Sequence, residues 1–301
     1  MFVQSGWYIF LVLLLMPVNW LLETCKWYGF LRIHVPVSFR KAFVAVTGGI
    51  ALSLFTPNRI GEYGGRMLYL PYTYRWPVVM STLMGSVSQN IAAFASGVTA
   101  CIILFKGFLL LKIVAGLLVI FSVLSLFYLK KIVSLICRLN IHRFLKKISS
   151  QLSHIEEYPS GLLIRSLFFA FARYAVYTFQ FVLLLYAFEP QVSPGSLFLG
   201  VSGLYLFQSL VPMPPVADVL ARTNLALILW SGTGMSELSI SLASLIVWII
   251  NLLLPAILGS IALGTTKAKK SLNTHDQSFG PALEPVLAQP TNQPSGSPSR
   301  A

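Results

Sequence analysis

The stretch LSISLASLIVWIINLLLPAILGSIALGTT, Leu238–Thr266, carries no charged residue from end to end. It exceeds the roughly 18–20 apolar residues that cross a bilayer core. Trp76–Phe105 and Pro190–Ala217 are also uncharged and of at least that length. All three are continuously apolar, without the polar/apolar alternation over about ten residues that marks a transmembrane β-barrel. The reading is therefore all-α, a polytopic membrane helix bundle of about seven or eight hydrophobic segments. Composition agrees, because 56% of the 301 residues are hydrophobic and only 10% are charged, against roughly 25% in soluble domains.

The formal net charge is +13, but the basic residues lie in short loops beside apolar runs. Positive-inside asymmetry and anionic lipid account for that placement better than nucleic acid does. Cys25, Cys101 and Cys137 are scattered, and His34, His142, His154 and His275 fall in loops or the tail. No metal site, disulfide framework or cofactor is expected from them. Gly61-x-x-Gly64-Gly65 lacks the Lys-Ser/Thr of a phosphate loop. Trp7–Leu22 has neither a basic region before it nor a small-residue cleavage site after it, and reads as a retained first helix.

Hydrophobic runs predict helices near 7–23, 40–56, 77–104, 108–129, 161–188, 194–211, 217–231 and 238–264, with no internal repeat evident. Residues 1–265 form the membrane domain on this reading. Within it, 130–160 mixes six basic residues with Leu, Ile and Phe, as a basic amphipathic segment on the cytoplasmic face would. The tail 266–301 is basic, then rich in Pro, Ser and Gln, and is expected to be disordered. If the basic loops 25–41 and 130–147 are both cytoplasmic, an even number of crossings separates them, yet three apolar segments lie between. The simplest resolution makes 40–56 turn back through 57–73 as a re-entrant hairpin with its tip near 56–66, using Pro57, Gly61, Gly64 and Gly65 as helix breaks. Lys267, Lys269, Lys270 and the tail then lie in the cytoplasm.

Thr56-Pro57-Asn58-Arg59-Ile60-Gly61-Glu62-Tyr63-Gly64-Gly65-Arg66 is the most informative stretch for function. On a helix, Arg59, Glu62 and Arg66 share one face. Two guanidiniums can grip a phosphate through paired N–H groups while the carboxylate holds one in place; snorkelling to headgroups is the plainer alternative. Arg173 lies about eleven residues into its helix, on the order of 16 Å deep, too far for easy snorkelling. Asp218 and Arg222 are one turn apart, either an ion pair or a second polar wall of the same site. Gln89, Asn90, Gln180, Gln208 and Asn251 suit interhelical hydrogen bonding.

The Thr-Pro-x-Arg-x-Gly-Glu stretch with Arg66 after it resembles the signature of the lysylphosphatidylglycerol synthase transmembrane-region family, a flippase-like membrane domain. The helix order, the basic middle segment and the Pro-containing break Val211-Pro212-Met213-Pro214 leading to Asp218 and Arg222 resemble it over roughly 7–265. The chain departs from the family pattern at Pro215–Arg222, where glycines are missing, and at Gln89-Asn90, which stand where members often carry charge. The aminoacyl-transferase domain of founding members has no counterpart in 265–301. The resemblance implies a lipid translocase of the inner membrane handling an anionic or aminoacylated phospholipid or a lipid-linked headgroup, with Arg59, Glu62, Arg66, Arg173, Asp218 and Arg222 as headgroup ligands. Its partners on this reading are membrane phospholipids, with a partner lipid-modifying enzyme and a homo-oligomer left open, and no nucleic acid. Two alternatives stand beside it: a transferase on a lipid-linked substrate, with Glu62 or Asp218 as base, and a non-catalytic partner subunit.

Overall fold

The first helix, α1, runs from Phe2 to Leu31. It continues well past residue 23, because Trp20, Glu23, Trp27, Phe30 and Leu31 recur at helical spacing and are all buried. The computed structural model describes residues 2–54, 56–104, 107–138, 152, 154–209, 211, 213–261 and 264, and the described residues form helices and turns without strands. Lys26, expected in a cytoplasmic loop, is 2% exposed inside α1.

Helix α2 spans Phe39–Ser53, with Ser38 at its N-cap accepting from the Lys41 amide. A 3-10 turn, Pro57–Arg59, leads into α3, Gly61–Met67. The turn is made by Asn58 and Arg59, whose φ values of 50° and 57° lie in the left-handed region. Thr56 fastens it, its hydroxyl accepting from the Gly61 amide at 2.8 Å and donating to the Ser53 carbonyl. The glycines expected as breaks have another role, since Gly61, Gly64 and Gly65 all lie inside α3. Gly65 lets α3 close onto α2, as an added Cβ would lie 2.6 Å from the Gly49 Cα.

A second 3-10 turn, Tyr72–Tyr74, precedes α4, Arg75–Leu104. Helix α5, Leu109–Arg138, is one continuous helix, so the first part of the basic 130–160 segment extends it. Residues 139–151 and 153, and the tail 266–301, lie outside the described residues. Helix α6 covers Ser160–Phe188. The helices expected near 194–211 and 217–231 are α7, Pro194–Ser209, and α8, Pro215–Leu229, on either side of a proline-rich break. Helix α9, Glu237–Trp248, passes through a π-turn at Ile249–Leu253 and continues to Ile261. Pro255, which cannot donate to the Asn251 carbonyl, explains that local widening.

Five helices are long and apolar enough to cross a membrane: Gly6–Leu31, Tyr72–Leu104, Leu109–Leu129, Ser160–Phe188 and Glu237–Ile261. That composition is compatible with a multi-pass membrane protein. Their helices belong to one body, Met1–Ala262. Helices α1 and α6 pack against each other along their lengths in opposite senses, with Gln180 donating to the Val12 carbonyl and Arg173 to Asn19. Helix α4 lies beside both and is joined to α6 by a 2.7 Å Ser166–Ser88 hydrogen bond and to α1 by Trp27 donating to Thr82. The short helices α2, α3, α7 and α8 fill the remaining sides, and α8 touches the Pro57–Arg59 turn.

Candidate functional site

Glu23, in the last third of α1, is the centre of a buried charge network. Its carboxylate lies 2.6 Å from the Lys26 ammonium, 2.9 Å from the Arg66 guanidinium and 3.1 Å from the Arg173 guanidinium. Arg66 makes a second salt bridge, 2.9 Å, to Glu62 one helical turn earlier, and Glu62 in turn holds Arg59 at 3.1 Å. Arg59, Glu62, Arg66 and Arg173, expected from sequence as ligands of one site, are thus brought together by a residue that sequence reasoning passed over.

Polar side chains extend the network. Arg173 donates to Asn19 at 2.7 Å and to Gln89 at 3.3 Å; Lys26 donates to Gln89 at 3.1 Å; and Asn19 donates to Asn251 at 3.2 Å. Helices α1, α3, α4, α6 and α9 each supply at least one member. Arg66 is 1% exposed and its guanidinium lies 5.0 Å over the Trp27 ring, an arrangement that favours a cation removed from water. Arg59 is the accessible member, with its side chain 35% exposed at the end of the chain of contacts. Four cations, Lys26, Arg59, Arg66 and Arg173, face two carboxylates, Glu23 and Glu62, leaving a surplus of two positive charges (4 − 2). Such a site can hold anionic oxygen atoms through guanidinium N–H groups.

Asp218 and Arg222 form a separate pair at 2.9 Å in α8. Arg222 is 1% exposed and stands over the rings of Tyr177 and Tyr205, at 5.7 Å and 5.9 Å. Gln208 donates to Asp218. No ion pair or hydrogen bond among the described residues joins this pair to the Glu23 network. Of the two readings of the one-turn spacing, an ion pair or a second polar wall of the same site, the ion pair is present.

The sequence signal for Glu23 and Lys26 was present. An acid and a base three residues apart, embedded between Trp20 and Trp27 on one helical face, are charges inside a span rather than after it. The histidines also come closer than expected, for His34, His154 and Glu157 meet at the start of α6. Glu157 lies 3.4 Å from His34 Nδ1 and 3.8 Å from His154 Nδ1. Their potential ligand atoms all lie within 4.8 Å of one another, a grouping that the sequence spacing did not indicate. Glu157 thus stands beside both imidazoles where the end of α1 meets the segment entering α6. No protein-family model, curated protein or solved structure matches this chain.

Proposed function

We propose that this chain is an integral-membrane lipid translocase that binds a phosphate-bearing headgroup, that of an anionic or aminoacylated phospholipid or a polyprenyl-linked lipid, at the Glu23 network. The observation that carries the proposal is the surplus of cations over carboxylates within one buried network of an apolar helix bundle. A buried charge in a membrane helix is costly and is kept where it serves a pathway or a ligand. Arg59, partly exposed, would be the first group to meet the headgroup, with Arg66 and Arg173 deeper. The guanidiniums would replace the water that the phosphate loses, while acyl chains remain in lipid. The 56–66 motif's resemblance to the flippase-like domain of lysylphosphatidylglycerol synthases supports the same reading.

In the membrane, Phe39–Met67 would form a re-entrant hairpin with Arg59 at its tip. The loops bearing Arg32, Arg40 and Lys41, the stretch from Lys130, and the C-terminal lysines would share the cytoplasmic side of the inner membrane. Both oxygens of Glu62 are already held by guanidiniums, which suits holding charge better than moving a substrate proton and so favours translocation over the transferase alternative. The test is leaflet exchange of fluorescent phosphatidylglycerol in proteoliposomes, comparing wild type with Arg59→Gln at matched incorporation. Exchange by wild type that falls at least about tenfold in the variant, the worth of one charge-assisted hydrogen bond, supports the proposal. Absence of exchange by wild type with phosphatidylglycerol, lysylphosphatidylglycerol and a polyprenyl phosphate overturns it.

A further inference from the structure

In chain order, the molecule presents one arrangement twice. Helix α1, the α2–α3 hairpin and α4 are followed, after α5, by α6, the α7–α8 pair and α9. The correspondence reaches individual residues. Glu62 and Arg66 lie one turn apart at the start of the helix after the first break, and Asp218 and Arg222 lie one turn apart at the start of the helix after the second. Arg66 stands over Trp27 of the long helix preceding its hairpin, and Arg222 over Tyr177 of the long helix preceding its own. Glu23 and Trp27 in α1 have the spacing of Arg173 and Tyr177 in α6. Gln89 and Gly97 in α4 have the spacing of Asn251 and Gly259 in α9. Gly97 abuts the Ser202 backbone in α7, and Gly259 abuts the Thr47 backbone in α2.

A pseudo-two-fold axis between α1 and α6 would relate these positions. Those helices are antiparallel, and the equivalent residues Glu23 and Arg173 meet at 3.1 Å across the axis. Helices crossing a bilayer in opposite senses put such an axis in the membrane plane, so that equivalent hairpins enter from opposite faces. Arg66 and Arg222 are also alike in what they leave unused. Each makes its acid contacts through one terminal nitrogen, Arg66 to Glu62 and Glu23 and Arg222 to Asp218, while Arg66 Nε and Arg222 Nε and Nη1, all buried, have no hydrogen-bond partner. A guanidinium carries five N–H donors in a planar fork, and a phosphate oxygen is a natural acceptor for those left over.

We infer that the chain is an inverted repeat and that the Arg222 pocket is a second station for a phosphate-bearing headgroup, the repeat mate of the Glu62–Arg66 station and open to the opposite face. The inference rests on the proposed function and adds where the headgroup goes next. The first station carries a surplus of two positive charges whereas Asp218 and Arg222 balance, so the second station binds more weakly and serves for release or first capture.

Two measurements on the full chain test this. With Cys25, Cys101 and Cys137 replaced by Ala, Thr73→Cys and Ser231→Cys mark the bases of the two hairpins. An impermeant maleimide applied to spheroplasts and to inverted vesicles labels them from opposite faces; labelling both from the same face overturns the repeat, whatever the exchange assay shows. Native mass spectrometry with dioctanoylphosphatidylglycerol then shows two binding events for wild type. Arg222→Gln weakens the weaker event by about ten- to a hundredfold, and Arg59→Gln weakens the tighter one. Two unchanged events in Arg222→Gln overturn the second station. Arg222→Lys, which keeps the cation, retains more of the weaker event and shows that the pocket has folded. Loss of leaflet exchange with both stations and opposite-face labelling intact would overturn translocation alone.

Discussion

Replacing Glu23 with Gln removes the one anion shared by Lys26, Arg66 and Arg173, at 2.6, 2.9 and 3.1 Å. The surplus in the network rises from two positive charges to three, with Glu62 the sole remaining carboxylate. Glu23 is 6% exposed, Lys26 2% and Arg66 1%, so solvent screening cannot absorb the change. Breaking a buried pair by removing one partner costs about 3–5 kcal/mol, and at about 2–4 °C per kcal/mol for a chain somewhat smaller than this one, Tm falls on the order of 10 °C. Heating purified protein in detergent while following tryptophan fluorescence measures it directly, and Trp27 beside Arg66 is a local reporter. Adding Lys26→Met to Glu23→Gln removes a cation along with the anion and recovers more than half of the loss. A Glu23→Gln protein within about 2 °C of wild type, or a double variant no more stable than the single, refutes the placement of Glu23 as the hub.

Gly65→Val drives a branched side chain into Gly49, whose Cα would lie 2.6 Å from the new Cβ; the variant loses about 3 kcal/mol or more, read as a fall in Tm and in folded yield, and wild-type stability would refute the close α2–α3 contact. Arg59→Gly relieves a left-handed residue of about 1 kcal/mol of strain yet removes the accessible guanidinium, so it raises Tm slightly relative to Arg59→Ala while exchange remains as low in both; equal stability of the two would refute the backbone assignment. Burial and the neighbouring His34 push His154 below its usual value of 6.5, against the pull of Glu157. The folded chain therefore binds fewer protons there than the unfolded chain, and stability falls as pH drops below about 6.5. His154→Gln flattens that part of the Tm–pH curve, and an unchanged slope between pH 7.5 and 5.5 would refute the assignment.

The long helices were legible because continuous apolar runs of that length have few other physical meanings. Arg59, Glu62 and Arg66 were legible too, since their spacing fixes a shared face whether the backbone is an α-helix or begins with a 3-10 turn. Arg173 was marked by depth alone, and in the bundle it meets Asn19 and Glu23. Glu23 and Lys26 were missed because a charge at the end of an apolar run is ordinarily taken as the end of the span. Here their compensation comes from α3 and α6, distant in sequence. The glycines of α3 were misread for a related reason: a glycine that breaks a helix and one that admits a neighbouring helix look the same in one dimension. The break at Val211-Pro212-Met213-Pro214 was legible because its prolines interrupt the apolar run between the helices expected at 194–211 and 217–231.

The internal repeat escaped the sequence because its equivalent positions differ in residue type while preserving geometry. Trp27 and Tyr177 both offer an aromatic face to an arginine, and Gln89 and Asn251 both offer an amide. Glu23 and Arg173 have opposite charge, yet that opposition is what a near-axial position requires. Two identical charges meeting across the axis would repel, whereas an acid facing a base gives attraction at 3.1 Å. On the proposed function, that pair is also the link any rocking of one half against the other must keep or break. Reversing it, as Glu23→Arg with Arg173→Glu, preserves the attraction across the axis but sets an arginine beside Lys26 and Arg66. A folded double variant that fails in exchange would therefore assign the local charge at Glu23 to the headgroup, whereas full exchange would leave the pair as a structural clasp between the halves.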